Sequence, residues 1–382
     1  MPIKFFYPGA IWPDNNGVRI NAHGGGVLFH DGVYYWFGEH KIEGEAGNAA
    51  HVGVHVYSSR DLYNWKDEGI ALKVVDATPS SHRGDGGGAA TQSPITRGCI
   101  LERPKVIFNP RTSKFVMWFH LEPKDAGYAG ALSGVAVADK VTGPFRFLEC
   151  FRPNAGVWPE NVPAESKRPL SPEEAAYVAK LDCPGGPVPY YPKHLLFRRD
   201  FSGGQMARDM TLFVDDDGSA YHFYASEANG TLHISKLSDD YLKPAGQFVR
   251  VFPGRFHEAP SVFKRGGKYF LISSDCSGWA ANTARVSVAE NIFGPWEELG
   301  NPCLGPGEQV CNTFNSQSTF ILPVQGRADA FIFMADRWNP ANAIDGRYVW
   351  LPIEFKRGVP TISWHDEWDL SIFDGKRMGA NG

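Results

Sequence analysis

The strongest constraint on the fold is a pattern that the sequence repeats five times. Each copy has two short apolar segments joined by a tight turn, then an alternating segment, then a short fourth segment. The five hairpins occupy residues 23–39, 102–120, 208–226, 255–274 and 317–336. Four-stranded units in series are typical of a β-propeller, so we predict an all-β fold, a five-bladed β-propeller with four-stranded blades. A β-sandwich could use the same strands but would not require the repeat.

Composition agrees with many short strands and turns, because the chain has 42 Gly, 28 Pro and 13% aromatic residues. We expect residues 1–382 to form a single propeller domain with loop insertions at about 76–98 and about 152–205. Within the second insertion, residues 171–181 begin with Ser, Pro and two Glu, which predicts one short helix.

The net charge and the hydropathy of the sequence argue against two classes of binding partner, nucleic acids and membranes. A net charge of −4 argues against nucleic acid, and no apolar run is long enough to span a membrane. Residues 1–6 lack a signal-peptide pattern, so we expect a cytoplasmic protein, or a periplasmic or secreted one if a leader has been removed. The six cysteines lack metal-ligand spacing; Cys303 and Cys311 could pair, but reduced cysteines are favoured. The sequence leaves the oligomeric state open.

Aligning the hairpins on their turns places one polar residue of each unit at the same position. In a propeller the first strand of each blade lines the axis, so these residues should converge on one cavity. They are His23, Glu102, Asp209, Glu258 and Gln317. The matching end of the neighbouring strand carries Glu39, His120, Glu227, Asp275 and Asp336. The alternative is that each polar residue merely caps a strand edge.

Glu258 is the strongest candidate for catalysis. It lies between His257 and Ala259 at the start of an apolar hairpin, where poor solvation should make its carboxyl hold a proton at neutral pH. A carboxylate-rich cavity with an aromatic rim suits a sugar. Trp279 lies in a turn and could stack on a sugar, whereas Trp36 and Trp118 lie within strands and are assigned to packing.

A cofactor is not indicated. His23, His51, His55 and His257 could approach one another, but their spacing matches no known metal motif. We therefore expect no metal in catalysis, leave a structural calcium ion open, and interpret His23 as a structural or substrate contact.

Several motifs together resemble glycoside hydrolase family 43, and specifically its exo-β-1,3-galactanase branch. They are residues 20–26 (INAHGGG), 34–39 (YYWFGE), 102–107 (ERPKVI), 208–213 (RDMTLF), 257–260 (HEAP), 277–279 (SGW), 315–319 (NSQST) and 336–340 (DRWNP). The resemblance spans nearly the whole chain. It implies a five-bladed propeller and an inverting, exo-acting hydrolase that releases galactose from the non-reducing end of β-1,3-galactan, the backbone of arabinogalactan.

The resemblance also implies roles for individual residues. Glu258 corresponds to the general acid, Asp209 to the carboxylate that tunes and orients it, and Glu102 to a carboxylate that grips the sugar. The positions that contact galactose in this branch correspond to Glu39, Tyr128, Asn229 and Trp279.

The sequence offers two candidates for the residue that activates the attacking water. Most members of the family carry an Asp in the first blade for this step, but here residues 21–23 read Asn-Ala-His. The galactanase branch shares this gap and has a glutamine, here Gln317, that is thought to hold the water. A neutral amide is a poor base, so Glu367 near the C-terminal end is a second candidate. Other activities on this scaffold are α-L-arabinofuranosidase and β-xylosidase, and a non-catalytic carbohydrate-binding propeller is the alternative outside enzymes.

Overall fold

Each repeat of the sequence forms one antiparallel sheet. The computed structural model describes residues 2–44, 47–76, 95–180 and 195–377. Most of the first predicted insertion and the central part of the second lie outside these ranges.

The four strands of each blade follow one another in chain order within its sheet. Blade 1 contains β1 (His23–His30), β2 (Val33–Glu39), β3 (Gly53–Ser59) and β4 (Lys66–Lys73). Blade 2 contains β5 (Ile100–Asn109), β6 (Lys114–Glu122), β7 (Leu132–Ala138) and β8 (Arg146–Phe151). Blade 3 contains β9 (Met210–Val214), β10 (Ala220–Ser226), β11 (Thr231–Leu237) and β12 (Pro244–Val251). Blade 4 contains β13 (Glu258–Arg265), β14 (Lys268–Ser274), β15 (Arg285–Ala289) and β16 (Glu297–Gly300). Blade 5 contains β18 (Gln317–Pro323), β19 (Phe331–Arg337), β20 (Arg347–Lys356) and β21 (Val359–Ser363), with β17 (Cys303–Leu304) added in parallel to β21.

The blades form a closed ring, because the first strand of each contacts the first strand of the next, from β1 through β5, β9, β13 and β18 back to β1. The predicted five-bladed propeller is therefore confirmed. Segments from the two ends of the chain meet where Phe6 and Trp368 exchange backbone hydrogen bonds of 2.7 and 3.1 Å. Aromatic side chains fill the junction between blades 1 and 5, and among them is Trp36.

Packing explains the tryptophans within strands. Trp36 and Trp118 are buried, as expected, and the Trp118 indole N–H donates to the Tyr241 carbonyl at 2.8 Å across the junction of blades 2 and 3.

Four inner strands carry a β-bulge beside the axial polar residue. The pairing register shifts after His23, Glu102, Glu258 and Ser318. At three of these bulges the next residue is left-handed: Gly24 (φ 61°), Arg103 (φ 56°) and Ala259 (φ 50°). A bulge turns the neighbouring side chains out of the regular alternation, so it re-aims them relative to the sheet.

Carboxylates from neighbouring strands satisfy the backbone at these bulges. The N–H of Gly24 donates to Asp336 Oδ2 at 2.6 Å and the N–H of Arg103 donates to Glu39 Oε1 at 2.9 Å. The N–H of Ala259 donates to Asp209 Oδ2 at 3.1 Å. Each carboxylate lies in the blade preceding the bulge, so part of the predicted polar ring supports the backbone that shapes the cavity.

Helices are few and short. The predicted helix is confirmed as α1 (Pro172–Val178), capped by a Ser171 and Glu174 capping box. The expectation of one short helix needs correction, because the insertion also forms α2 (Leu196–Arg199), which Arg198 joins to α1 through an ion pair with Glu174. Short 3-10 helices lie at Ala164–Ser166, Glu308–Asn312, Ala343–Asp345 and Leu370–Arg377. Across the described ranges, no helix is long and apolar enough to cross a membrane.

Candidate active site

One cavity of about 280 Å³ opens at the starts of the inner strands. Its lining comprises Glu39, Asn48, Glu102, Arg103, His120, Tyr128, Arg208, Asp209, Asn229, Glu258, Gly278, Trp279, Gln317 and Trp338. The structure thus brings together every predicted site residue except His23 and Glu367.

Glu258 begins β13 and is held by two donors on one oxygen. Its Oε1 accepts the Asn229 amide at 2.7 Å and the Cys276 thiol at 3.0 Å. Because both contacts donate to Oε1, a proton on this carboxyl belongs on Oε2. Burial, followed by the nearby negative charge of Asp209, raises the pKa of Glu258 to about 8. The carboxyl is therefore mostly protonated at neutral pH, as a general acid requires.

Asp209 and Gln317 are joined by Arg103. The Arg103 Nη2 donates to Asp209 Oδ2 at 2.9 Å and to Gln317 Oε1 at 2.6 Å. The other terminal nitrogen, Nη1, donates to the Ser318 carbonyl at 3.1 Å, and the guanidinium lies 5.2 Å from the Trp338 ring centroid. Sequence reasoning missed Arg103. Its position next to the axial Glu102 was the available signal, but the left-handed turn that aims it is not visible in a strand pattern.

The donors around Gln317 fix its amide orientation. The Arg103 guanidinium and the Trp338 indole N–H, at 2.6 and 2.9 Å, can only donate, so the atom that they contact must be the amide oxygen. The amide nitrogen donates to Ser274 Oγ at 2.9 Å. Gln317 therefore has a saturated oxygen and one remaining N–H, and in this arrangement it can hold a water molecule but has no basic lone pair to offer.

Glu102 is held as an anion. The Tyr128 hydroxyl donates to Oε1 at 2.9 Å and the His120 ring contacts Oε2 at 3.0 Å. Burial alone would raise its pKa, but hydrogen bonding to His120 and the charge of that ring outweigh burial and lower the pKa of Glu102 to about 2. One cavity thus contains a protonated and an ionised glutamate.

Glu39 is engaged on both oxygens. Its Oε1 accepts the Arg103 backbone N–H at 2.9 Å, and its Oε2 pairs with the buried Lys41 ammonium at 2.6 Å. Glu39 lines the cavity, as a predicted sugar contact should. Both of its oxygens also support the surrounding structure through Arg103 and Lys41.

The rim is aromatic on one side. Trp279 is 40% exposed and meets Trp338 edge-on, with ring centroids 6.0 Å apart and an interplanar angle of 72°. Trp338 was also missed by sequence reasoning. Tyr128 also lines the cavity, and its hydroxyl accepts a hydrogen bond from Asn48.

Two predicted residues lie elsewhere. His23 is buried, its ring stacks on Tyr348 at 5.1 Å, and its Nδ1 is 3.7 Å from Asp336 Oδ2. Because it does not line the cavity, His23 is a packing residue rather than a sugar contact. Glu367 is exposed in the loop before Trp368 and lies outside the cavity lining, so it is removed as a candidate for activating water there.

Among the residues that the structure describes, one group of side chains is close enough together to coordinate a metal ion. Single ligand atoms of Glu102, His120 and Asp209 all lie within 4.8 Å of one another. However, both His120 nitrogens contact glutamate oxygens and Asp209 is paired with Arg103, so the group is arranged for hydrogen bonding rather than for coordination.

Comparison with known proteins gives consistent matches. The family model described as Glycosyl hydrolases family 43 matches residues 163–319. A solved GH43 β-1,3-galactosidase, in complex with galactodeoxynojirimycin, is 46% identical, with coverage of 96% of this chain and 100% of that chain and a TM-score of 0.84. An exo-β-1,3-galactanase from Phanerochaete chrysosporium, solved with galactose, is 30% identical, with coverage of 96% and 68% and a TM-score of 0.72.

A curated relative matches over a shorter stretch. It is a β-D-galactofuranosidase from Aspergillus niger, 26% identical over 146 residues, which are 38% of this chain. The matched stretch spans 41% of that relative.

Proposed function

Because this chain belongs to glycoside hydrolase family 43, we propose that it is an inverting, exo-acting hydrolase that releases galactose from the non-reducing end of β-1,3-galactan, as found in the arabinogalactan backbone. The observation that carries the proposal is the 46% identity to a β-1,3-galactosidase over that enzyme's whole length. The cavity chemistry supports the reaction, and oligo- or polysaccharide is the partner that it fits.

Glu258 serves as the general acid in this proposal. The proton on Oε2 passes to the glycosidic oxygen as the bond from that oxygen to the anomeric carbon breaks. The carboxylate that remains is stabilised by the Asn229 and Cys276 donors already in place on Oε1. Before this step, Asp209 keeps the proton on Glu258 through its negative charge.

Water attacks the anomeric carbon from the opposite face, which inverts its configuration. Gln317 holds this water through its remaining amide N–H, and the proton that the water loses as it attacks passes to solvent. Glu102, the carboxylate that binds the sugar, also opposes the positive charge that develops on the ring. Trp279 offers its face to the sugar on the leaving-group side. We propose that no metal ion takes part.

The experiment is incubation with β-1,3-galactobiose, with arabinan and xylan as separate substrates. We expect galactose from the disaccharide, first seen as the α-anomer by ¹H NMR, and no release of arabinose or xylose. Release of either pentose instead would favour the arabinofuranosidase or xylosidase alternative. Galactan binding without release would favour a binding propeller.

Variants test the residue roles. Glu258→Gln should lower kcat on galactobiose by about 10²- to 10⁴-fold, the usual contribution of general acid catalysis. Gln317→Ala should lower kcat strongly because the water loses its anchor, whereas Glu367→Ala, at an exposed position outside the cavity, is the matched control and should match wild type. Near wild-type activity of Glu258→Gln would contradict the assignment of the acid.

A further inference from the structure

A chain of three side chains, Glu102, His120 and Glu122, runs from one wall of the cavity into the protein interior. Glu102 on β5 and His120 on β6 are direct cross-strand partners, and Glu122 follows two residues later on the same face of β6. The His120 Nδ1 is 3.0 Å from Glu102 Oε2, and its Nε2 is 2.9 Å from Glu122 Oε1. The side chains of His120 and Glu122 are 1% and 0% exposed, so water does not compete for these contacts.

Counting protons defines the state of the histidine. A neutral imidazole can donate from one nitrogen only, yet both nitrogens of His120 face a carboxylate oxygen. Both oxygens of Glu122 also accept the Ala131 backbone N–H at 2.9 Å, as an ionised carboxylate would. With both glutamates ionised, the two contacts are satisfied together only when His120 carries a proton on each nitrogen.

The charged groups around His120 are compatible with a positively charged ring that carries a proton on each nitrogen. Other titratable or charged groups that act on these residues or lie beside them include Lys41, Arg103, Tyr128, Arg152 and Asp209. Burial alone would lower the pKa of His120, but its hydrogen bonds to Glu102 and Glu122 raise the pKa to about 9. The same contact lowers the pKa of Glu102, so the charges of the ring and the cavity carboxylate depend on each other.

We propose that His120 and Glu122 are positioning residues: the imidazolium anchored by Glu122 keeps Glu102 ionised and fixes the orientation of its carboxylate toward the sugar. This inference rests on the proposed function, which places Glu102 at the sugar. It explains how one cavity keeps Glu258 protonated and Glu102 ionised at the same pH, since only Glu102 has an imidazolium behind it.

The decisive variant is Glu122→Gln. An amide in place of Glu122 can donate to His120 Nε2, so the ring becomes neutral while its Nδ1–H still donates to Glu102. The substitution therefore keeps the hydrogen bond between His120 and Glu102 and removes the positive charge of the ring. We expect the acid limb of kcat/KM on β-1,3-galactobiose to move up by at least about one pH unit, which is about a 10-fold loss relative to wild type at a pH below both midpoints. The alkaline limb, which Glu258 sets, should stay in place.

A buried histidine in blade 3 provides the matched control. His233 is buried and bonds Glu227 Oε1 at 2.8 Å, and neither residue lines the cavity. His233→Gln removes a comparable buried contact, so it reports the structural cost alone and should leave both limbs of the pH profile unshifted. An unmoved acid limb in Glu122→Gln would overturn the proposal.

A second measurement does not depend on the variants' activity. In wild-type protein labelled with ¹⁵N-histidine, both ring nitrogens of His120 should show the shifts of an imidazolium at pH 7.5, with the signals assigned by their loss in His120→Gln. A neutral tautomer at that pH would refute the inference. If the protein failed to release galactose, the proposed function would fall, while the charge state of His120 would still be decided by this spectrum.

Discussion

Replacing Asp209 by Asn should lower the alkaline limit of activity without disturbing the fold. One oxygen of the carboxylate, Oδ2, accepts hydrogen bonds from Arg103 at 2.9 Å and from the Ala259 N–H at 3.1 Å. An asparagine with its carbonyl oxygen in that place keeps both bonds. The substitution is therefore close to a pure removal of negative charge beside Glu258.

The direction and size of the effect follow from the state of Glu258. A general acid with a raised pKa works below that value and is lost as the pH rises through it, so wild type should lose activity around pH 8. Without Asp209, burial still raises the pKa of Glu258, but no charge of Asp209 offsets the positive charges of Arg103 and Arg208. We therefore expect the pKa of Glu258 to fall by about 1 to 2 pH units. At pH 8 the protonated fraction would drop from about one half to between about 1/10 and 1/100, which lowers relative kcat/KM by about 5- to 50-fold.

The assay is the rate of galactose release from β-1,3-galactobiose between pH 5 and 9.5, with melting temperatures recorded for each protein. Asp215→Asn is the control, because Asp215 is in the same blade but pairs with Lys264 and Tyr269 outside the cavity. An alkaline midpoint that is the same in Asp209→Asn and wild type would show that burial alone holds the proton on Glu258, and the tuning role would be refuted.

Two further variants give effects of different kinds. Cys276→Ala removes a donor that favours the ionised form of Glu258, so the alkaline midpoint of this variant should move slightly upward, opposite to that of Asp209→Asn. A downward shift would contradict the S–H contact at 3.0 Å. Trp279→Ala removes an exposed ring at the rim and should raise KM about 10-fold with little change in kcat, measured on galactobiose and galactotriose; an unchanged KM would remove Trp279 from sugar binding.

The fold could be predicted because the repeat is a property of the whole chain. Turn residues, alternating strands and the aligned polar positions predicted the blade count and six of the residues that line the cavity, and they depend only on sequence spacing. The six are Glu39, Glu102, His120, Asp209, Glu258 and Gln317. The failures come from backbone detail. His23 stands in register with the axial residues, but the glycines that follow it let other groups take the space beside the axis. A Cβ on Gly24 would lie 2.2 Å from Glu39 Oε1, and one on Gly26 would lie 2.8 Å from Lys105 Cδ.

The missed residues share a second cause. Arg103 acts through a left-handed backbone that a strand pattern does not reveal, and Cys276 and Trp338 act from positions just past the strands where the repeat no longer aligns the blades. His120 was placed at the edge of the cavity by the repeat, but its partner Glu122 lies within β6, where alternation alone predicts packing. Glu367 was a candidate base only because the position of its segment relative to the cavity could not be predicted from spacing.

One of the residues that no pattern predicted connects the two halves of the proposed reaction. In that proposal Asp209 controls the acid and Gln317 holds the water, and a single nitrogen of Arg103 donates to both. The same guanidinium saturates the amide oxygen of Gln317, which disfavours the tautomer that would make the glutamine a base. In this mechanism blade 4 provides the proton and blade 5 positions the water. Arg103 from blade 2 pairs with the charge of Asp209 and fixes the hydrogen-bonding direction of the Gln317 amide. An inverting reaction needs these two groups on opposite faces of one sugar, and a ring of separate blades provides that separation.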